Sequence, residues 1–559
     1  MTDEVDVDVV IVGAGAGGSA AAWSLSKSGL RVLILESGPF YDPSRDYQTN
    51  TQQWEHNSFP HKSPGPAPYS FAPMQRLNPK WQHLRSWDKV RGLMTGNQQR
   101  RFGWRYHHVR GVGGSTLAFS GEAHRMNPDG MNMLSRYGVA ADWPVSYDDL
   151  APYYQQAEYQ MGVSGPAKLA LSQQPSNYLP AHKISYATSK LAQGCEKLGW
   201  EWQANPVAIL SKSREGRPAC NYCGQCNRGC PRRDKGSADL AFINPAMTTG
   251  RCRIKTGCQV RRILTGKNDR VRAVEYTDES QQLHTLKTSI LILAAGAVQT
   301  PRLLLLSNSS ASPEGLANES GQVGRNFMET LFWNSCALHP ERLDSFRGVP
   351  SDGICWDFSN AQKTDDYIGG FRLSSGTLEA ELGGPIAYAT RLVPGWGAPH
   401  KEMMKNYYGH ALCVGAVGES LPDDRSYIDL DPEKKDAQGD PVPRIHSHLA
   451  DMELRRLAAM AKRCRKLLVA AGADTLLEEY GSYDVFSATH VFGTCRMGTD
   501  PEHSVTNAFG QSHRWNNLFI ADASLFPSSG SGESPSLTIA ALAIRQSHYI
   551  QQLIKAREW

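Results

Sequence analysis

A glycine-rich turn between two apolar segments near the start of the chain most constrains its fold. Residues 9–12 read VVIV and residues 31–35 form a second apolar run of strand length, with G-A-G-A-G-G at 13–18 between them. The alanine-rich segment 19–27 follows the turn and is typical of a helix. Such a turn between a strand and a helix, with a second strand after it, is typical of a β-α-β unit that binds a dinucleotide.

Each glycine of this turn meets a separate physical requirement. Gly13 allows the tight turn, Gly15 lets the backbone approach a pyrophosphate, and Gly18 lets the helix pack closely on the sheet. The helix N-terminus adds unpaired N–H groups that favour phosphate. Glu36 ends the second strand, 18 residues after Gly18, where an acidic side chain accepts hydrogen bonds from ribose hydroxyls. We therefore expect nucleotide binding at this turn.

Later segments supply further strands and a second sheet. Residues 289–294 (SILILA) and 518–521 have the pattern of buried strands. Residues 331–484 carry alternating strand patterns and an amphipathic helix at 451–470. We predict an α/β fold in which a Rossmann-like nucleotide-binding domain is assembled from discontinuous segments and an antiparallel-sheet substrate domain is inserted. The nucleotide-binding segments are 1–40, 95–135, 211–330 and 485–559, and the substrate-binding segments are 41–94, 136–210 and 331–484.

The composition argues against several other classes of protein. The 559 residues carry 59 basic and 55 acidic side chains, a formal charge of +4, without a long charged block. Neither nucleic acid nor an anionic membrane surface is therefore expected as a partner. No apolar run approaches the roughly 20 residues of a membrane-spanning helix, and the acidic N-terminus does not resemble a signal peptide. We expect a cytoplasmic protein, or a periplasmic one exported while bound to a partner subunit.

Motifs spread over nearly the whole chain resemble the glucose-methanol-choline (GMC) oxidoreductase family. Besides the opening turn, they are R-G-V-G-G-S-T-L-A at 110–118, G-A-V-Q-T-P-R-L-L-L-L-S at 296–307, V-G-R-N at 323–326, H-V-F-G-T-C-R-M-G at 490–498 and N-L-F-I-A-D at 517–522. The resemblance implies that the nucleotide is FAD. It also implies that the chain oxidises a hydroxyl group of a sugar or other alcohol, with hydride transfer to flavin N5.

The resemblance further implies which residues contact FAD. The positions that match those of the family are Gly113, Gly114, Ser115, Val260, Asp522 and Ala523. Some family members attach FAD covalently through a histidine, and Ala118 stands at that position here. We therefore predict non-covalent FAD. Phe119 stands where many relatives have asparagine, which predicts a bulkier substrate face of the flavin.

The catalytic positions of the family are only partly matched. His490 stands at the position of the catalytic histidine, and a neutral histidine suits removal of the hydroxyl proton. The family sets a second histidine or asparagine opposite, and this chain has Ser534 there. Serine is shorter and offers a single hydroxyl. Two hypotheses follow: Ser534 bonds the substrate oxygen directly, or Glu533 turns inward as the second polar group.

Four of the 12 cysteines lie in one short segment with the pattern C-x2-C-x2-C-x3-C-P. They are Cys220, Cys223, Cys226 and Cys230, a spacing typical of ligands to a [4Fe–4S] cluster. A bacterial branch of the resembled family carries a [3Fe–4S] cluster on C-x5-C-x3-C, which Cys220, Cys226 and Cys230 also satisfy. We expect one of these clusters; a zinc site of four thiolates and a loop of reduced cysteines are the alternatives.

An iron–sulfur cluster would make the chain a dehydrogenase that passes electrons to a cytochrome or quinone-linked acceptor. The resemblance then also implies a small companion subunit. The alternatives are a cluster-free enzyme that uses oxygen or quinone, and a flavin electron-transfer subunit without substrate turnover. The sequence does not name the substrate. Trp81, Trp87, Trp104, His107 and His108 are candidates either to line a sugar pocket or to pack in the core.

Overall fold

A computed structural model describes residues 7–47, 49, 54–55, 68–361 and 366–556 of the chain. Parts of the predicted domain segments lie outside these ranges. They are residues 1–6 and 557–559 at the ends, residues 48, 50–53 and 56–67 in the proline-rich segment, and residues 362–365.

A five-stranded parallel sheet forms the core around the N-terminal turn. In sheet order its strands are Leu518–Ile520, Ile290–Leu293, Val9–Val12, Val32–Leu35 and Cys252–Lys255. The four strands before the Cys252–Lys255 edge are buried along their whole length and consist of valine, leucine, isoleucine and phenylalanine. This composition is typical of a parallel sheet, because both of its faces are covered. The predicted α/β class with a Rossmann-like sheet built from distant segments is confirmed.

Long helices pack beside this sheet. Ala16–Lys27 packs against the C-terminal helix Ser536–Ala556, which in turn packs against Tyr147–Met161. The first helix begins with small residues because the backbone of a neighbouring segment lies against its first turn. A Cβ at Gly17 would lie 1.6 Å from the Ala521 carbonyl oxygen. Gly296–Leu306 follows the strand Ile290–Leu293, as the sequence predicts. None of the described helices is both long and apolar enough to cross a bilayer.

A second, seven-stranded sheet is antiparallel and lies mostly in the segments predicted to bind substrate. In sheet order its strands are Trp87–Asp88, Thr475–Gly481, Leu331–Leu338, Ala411–Gly418, Phe371–Ser375, Gly353–Cys355 and Gln203–Ala204. Helix Asp451–Ala470 packs on its central strands and on helix Tyr186–Leu198. Leucine, methionine and cysteine side chains of the longer helix, spaced three or four residues apart, are buried against the sheet.

Smaller elements complete the described chain. The minor sheets are Gln259–Thr265 with Val271–Thr277 and Leu283–Lys287; Tyr427–Lys435 with Pro441–His446 and Ser70–Phe71; Phe102–Tyr106 with Val485–Ala488; Met328–Glu329 with Val491–Phe492; and Ser164–Gly165 with Leu179–Pro180. The short α-helices are Pro43–Asp46, Met133–Tyr137, Asn244–Thr248, Pro385–Ala387 and Gly397–Tyr407.

We expect Gly17→Ala to destabilise the protein. The added methyl group would meet the backbone carbonyl of Ala521, which belongs to a buried segment and cannot move aside cheaply. Overpacking of this kind costs about 1–3 kcal/mol, or more where backbone must shift. Thermal unfolding of the apoprotein measures the effect. Gly266→Ala is the matched control, because its Cβ would meet only ordinary contacts; equal melting temperatures for the two variants would contradict the prediction.

Candidate active site

A cavity of about 1280 Å³ lies between the two large sheets. Its lining includes Val12, Leu35 and Ala294, which end or follow parallel strands, and Trp333 and Arg372 of the antiparallel sheet. Ligands of open α/β sheets bind at this carboxyl end of the strands. The cavity exceeds the roughly 300–1,000 Å³ of most small-molecule pockets, which leaves room for a dinucleotide together with a substrate.

The Glu36 carboxylate ties the N-terminal turn to two other stretches of backbone. Oε2 accepts from Ala14 N at 2.8 Å, and Oε1 accepts from Gly38 N at 2.8 Å and Gly111 N at 3.1 Å. The side chain is buried, which raises its pKa, and the three backbone N–H groups oppose that rise. Glu36 lines the cavity, as its predicted contact with ribose requires, and it also holds the surrounding loops in place.

The three predicted glycines of the N-terminal turn differ in what surrounds them. Gly13 has φ +99°, and a Cβ there would lie 2.6 Å from the Ala294 oxygen. A Cβ at Gly18 would lie 2.0 Å from the Gly13 oxygen. At Gly15 a Cβ would meet nothing within 4 Å, and this residue lines the cavity. Gly15 therefore leaves open the space that a pyrophosphate needs beside the helix N-terminus.

The second glycine loop closes on the first. Gly113 N donates to Ala14 O at 2.8 Å, and a Cβ at Gly114 would lie 2.8 Å from the Gly15 Cα. Gly114 and Ser115 line the cavity, whereas Gly113 lies behind the lining and holds the two loops together. The two loops thus form one cradle of backbone with little side-chain bulk. This arrangement fits the diphosphate of FAD.

The remaining predicted FAD contacts also lie at the cavity. Its lining includes Val260, Asp522 and Ala523, and also Ala118 and Phe119, which are not among the predicted contacts. Val260 sits in a strand whose register shifts directly after it, where a bulge interrupts the pairing with residues 271–277. Such a bulge re-aims nearby groups, which suits a residue that meets a ligand through its backbone.

Asp522 follows the last parallel strand and is buried. Its Oδ2 accepts from Gly296 N at 2.9 Å and from the Thr300 hydroxyl at 2.6 Å, and its Oδ1 accepts from Ser524 N at 2.9 Å. The carboxylate therefore caps the short helix Ala523–Leu525 and also fixes the start of helix Gly296–Leu306. Asp522 lines the cavity while it holds two of its walls.

The His490 imidazole faces the cavity. Within the described ranges its ring makes no hydrogen bond to the protein, while its backbone oxygen accepts from Thr330 N at 3.1 Å. Burial lowers the pKa of His490 to about 4; nearby Glu122 opposes this shift, and Arg372 and His124 add to it. The side chain is therefore a neutral imidazole at neutral pH, with its ring free to meet a ligand.

Ser534 lies at the same cavity, but its hydroxyl is already engaged. Ser534 Oγ donates to Glu122 Oε2 at 2.7 Å and accepts from Arg372 at 3.3 Å. A hydroxyl has a single proton to donate, and here Glu122 accepts it. This arrangement does not favour the hypothesis that Ser534 donates directly to the substrate oxygen.

The structure does not bring Glu533 to the cavity. Its Oε1 accepts from Trp356 Nε1 at 2.9 Å, and its Oε2 lies 2.9 Å from His124 Nδ1. The side chain is 1% exposed and sits behind Ser534. The hypothesis that Glu533 turns into the site is not supported, because its partners hold it in a separate buried cluster.

Sequence reasoning missed the ion pair of Glu122 and Arg372. Glu122 comes seven residues after Ser115, and Arg372 lies on strand Phe371–Ser375 of the antiparallel sheet. Both line the cavity with His490 and Ser534. The Arg372 guanidinium holds the pKa of Glu122 well below its usual range, against the effect of burial. An acid shortly after the second glycine loop was visible in the sequence, but no local pattern marks the arginine that it meets.

The aromatic candidates divide between cavity and core. His107 and His108 line the cavity, and burial lowers the pKa of His108 to about 4. Trp81 packs in the core of the antiparallel domain, and its Nε1 donates to Asp451. The other two tryptophans, Trp87 in an edge strand and the exposed Trp104, are not part of the cavity lining.

The cysteine segment does not form a ready metal site. Cys226 and Cys230 are buried, Cys220 is half-buried and Cys223 is exposed. The Cys230 thiol donates to Asp234 Oδ1 at 3.0 Å, and burial raises the pKa of Cys230 to about 11. No group of three or more histidine, cysteine, aspartate or glutamate side chains among the described residues is arranged to hold a metal ion. As arranged, these thiols do not fit an iron–sulfur cluster or four-thiolate zinc.

The cysteine segment is nevertheless fastened to the second glycine loop. The buried Lys235 ammonium donates to the backbone oxygens of Leu117 at 3.0 Å, Phe119 at 3.0 Å and Cys226 at 2.5 Å. Asn227, within the segment, reaches the cavity lining. The segment therefore forms part of the wall beside the residues predicted to contact FAD.

Comparison with known proteins agrees with this geometry. The chain matches the GMC oxidoreductase family over residues 7–331 and 422–543. A 2-methyl-1,2-propanediol dehydrogenase of Mycolicibacterium austroafricanum is 29% identical over 551 residues, 94% of this chain and 92% of that protein. The fructose dehydrogenase large subunit of Gluconobacter japonicus is 28% identical over 96% of each chain. The crystal structure of pyridoxine 4-oxidase from Mesorbium loti shares the fold, with a TM-score of 0.58, 17% identity and coverage of 98% and 99%. The chain belongs to the GMC oxidoreductase family.

Proposed function

We propose that this chain oxidises a hydroxyl group of a sugar or other alcohol, with FAD as cofactor and His490 as the base. The observation that carries the proposal is the neutral His490 imidazole, which faces the cavity without a protein partner among the described residues. The relatives named 2-methyl-1,2-propanediol dehydrogenase and fructose dehydrogenase large subunit support this substrate class.

The residues that would hold FAD come from both glycine loops and from the ends of the parallel strands. Gly15 would leave room for the diphosphate, and Gly114 lets the second loop approach Gly15 closely. Glu36 lines the cavity and would accept hydrogen bonds from ribose hydroxyls, and Ala118 offers no atom for a covalent link. Bound FAD supplies a hydride acceptor at N5. The protein supplies the shape of the cavity and the exclusion of water around the reacting carbon.

Removal of the hydroxyl proton falls to His490. A neutral imidazole accepts the proton as the carbon-bound hydrogen leaves, and Glu122 stabilises the resulting positive charge, since its anion raises the pKa of His490. Ser534 acts through Glu122, to which its hydroxyl donates. In this proposal Ser534 positions the carboxylate and does not touch the reacting oxygen.

We expect Gly15→Ala to weaken FAD binding without destabilising the apoprotein. The added Cβ would meet no protein atom, but it would enter the open space in which we place the diphosphate. The substitution should therefore lower the affinity for FAD and leave the stability of the apoprotein unchanged. We expect the Kd for FAD to rise at least about tenfold. Titration of apoprotein with FAD, followed by flavin fluorescence, measures Kd, and thermal unfolding of the apoprotein is the control. Unchanged affinity would contradict the placement of the diphosphate at this turn.

We expect His490→Ala to slow flavin reduction by hydroxyl substrates about 100- to 10,000-fold while FAD stays bound. Stopped-flow bleaching of the flavin under anaerobic conditions measures the rate. In the wild type the rate should fall as pH drops through about 4, because His490 then becomes protonated, and it should be level above that pH. His513→Asn, outside the cavity, is the matched control.

The outcomes for His490 separate the proposed function from its alternative. Loss of reduction in His490→Ala with normal reduction in His513→Asn supports the proposal. Bound FAD that no sugar or alcohol reduces in the wild type would instead identify an electron-transfer subunit without substrate turnover.

The route of the electrons away from FAD is a separate proposal. The cysteine spacing favours an iron–sulfur relay, whereas the arrangement of the thiols favours a cluster-free enzyme that uses oxygen or quinone. The name of the fructose dehydrogenase large subunit points to a multi-subunit enzyme, so a companion subunit and a cytochrome acceptor belong to the first alternative. No step of the hydroxyl oxidation proposed above depends on the choice.

Because the four thiols are not arranged around a common metal site, we expect anaerobically purified protein to contain FAD but neither iron nor acid-labile sulfide. Low-temperature EPR, before and after dithionite, together with iron and sulfide analysis, tests this. A narrow signal in the oxidised state that disappears on reduction would establish a [3Fe–4S] cluster and the relay. A signal that appears only on reduction would establish [4Fe–4S] and add Cys223 to the ligands.

A further inference from the structure

Glu122 and Arg372 form a buried ion pair in the wall of the cavity that contains His490. The Arg372 side chain is 1% exposed and the Glu122 side chain 12%, and both line the cavity. Glu122 raises and Arg372 lowers the pKa of His490, so the pair lies within electrostatic range of the proposed base. Burying two charges costs free energy unless hydrogen bonds satisfy them. The hydrogen bonds of each side chain therefore show which of its atoms can still bind a ligand.

Arg372 has no donor left for a ligand. Its Nε donates to Gly532 O at 3.0 Å. One terminal nitrogen donates to Glu122 Oε1 at 3.1 Å and to Ser374 Oγ at 3.3 Å, and the other donates to Glu122 Oε2 at 2.6 Å and to Ser534 Oγ at 3.3 Å. A guanidinium has five N–H groups, and these five contacts use all of them. Arg372 therefore fixes the carboxylate and does not reach the substrate.

Glu122 retains capacity at one of its two oxygens. Oε1 accepts from Asn205 at 3.0 Å, from Ser351 at 2.9 Å and from Arg372. Among the residues that the structure describes, Oε2 accepts only from Arg372 and from Ser534 Oγ at 2.7 Å. Oε1 accepts three hydrogen bonds, so Oε2, which accepts two, can accept one more from a ligand. Glu122 and Ser534 both line the cavity, so Oε2, which bonds to Ser534, lies at the cavity wall.

The chemistry of a carboxylate decides which part of a substrate it meets. An ionised carboxylate only accepts hydrogen bonds, and it repels negative charge. The reacting oxygen gains negative charge as its proton moves to His490, so Glu122 is a poor partner for that oxygen. A neighbouring hydroxyl that keeps its proton throughout the reaction is a good partner, because its bond to an anion is strong.

We propose that Glu122 binds a second hydroxyl group of the substrate, next to the carbon that is oxidised. This inference rests on the proposed function and narrows it to vicinal diols, polyols and sugars over simple monoalcohols. Arg372 and Ser534 are positioning residues that hold the Glu122 carboxylate in place.

The test compares matched substrates on the FAD-loaded enzyme and on Glu122→Gln. The pairs are 1,2-propanediol with 1-propanol, and D-glucose with 2-deoxy-D-glucose. We expect the wild type to favour the member with the adjacent hydroxyl. Glu122→Gln should slow both members of a pair to the same extent, because it removes the charge that stabilises protonated His490. It should lower kcat/KM by a further 10- to 100-fold, roughly the contribution of a charge-assisted hydrogen bond, only for the member with the adjacent hydroxyl.

Control variants separate binding from folding. Glu122→Gln leaves Arg372 without its counter-charge, so the double variant Glu122→Gln/Arg372→Gln repeats the comparison without that buried charge. Glu158→Gln breaks another buried bidentate pair, with Arg125, that does not line this cavity. We expect that control to lower thermal stability and leave the ratio between the paired substrates unchanged.

Binding without turnover gives a second readout. Absorbance changes of oxidised flavin on titration with glycerol or 1-propanol report affinity, and only the wild type should prefer glycerol. An unchanged substrate preference in Glu122→Gln, or an equal loss with both members of a pair, would overturn the assignment of Glu122. If no hydroxyl compound reduces the flavin in the wild type, the proposed function fails, and the glycerol titration still decides the role of Glu122.

Discussion

The Glu36 carboxylate joins three stretches of backbone at the carboxyl end of the parallel sheet. It accepts hydrogen bonds from Ala14, Gly38 and Gly111, and the two glycine loops then meet through Gly113 and Ala14. A buried carboxylate is stable only when donors surround it, and here the donors are the backbone groups that must be fixed to shape the cavity. The shape of the two glycine loops therefore depends on the same bonds that satisfy this charge.

The Glu122–Arg372 pair has a corresponding role at the opposite wall. It connects the segment after the second glycine loop with the antiparallel sheet and, through Ser534 and Gly532, with the C-terminal segment. Removing one member of a buried pair commonly costs about 3–5 kcal/mol because the other charge stays buried. The pair thus ties the antiparallel sheet to the segments that carry the second glycine loop and the C-terminal helix.

The short side chain of Ser534 leaves room for a carboxylate beside it at the cavity wall. Its hydroxyl lies 2.7 Å from Glu122, so the anion stands beside the position where relatives are expected to have a histidine or asparagine.

The cysteine segment differs between its sequence pattern and its structure. Its spacing is that of a cluster ligand set, yet the structure buries Cys226 and Cys230 in separate contacts and fastens the loop through Lys235.

The sequence by itself determined the α/β class and the close-packed glycine turn at Gly13, Gly15 and Gly18, and it marked His490 as the candidate base. These features are local: a strand, a turn and a helix follow one another in the chain, and glycine is required where backbone must approach backbone or ligand. The predicted domain boundaries and the roles of the site residues remain predictions.

Only the tertiary structure decided which polar groups share the cavity. Glu122 and Arg372 are 250 residues apart, and neither carries a local pattern that predicts their meeting. Glu533 and Ser534 are adjacent in sequence, yet one lies in a buried cluster with Trp356 and the other faces the cavity. The direction of a side chain and the partner of a buried charge depend on packing between distant segments, and a single sequence does not record that packing.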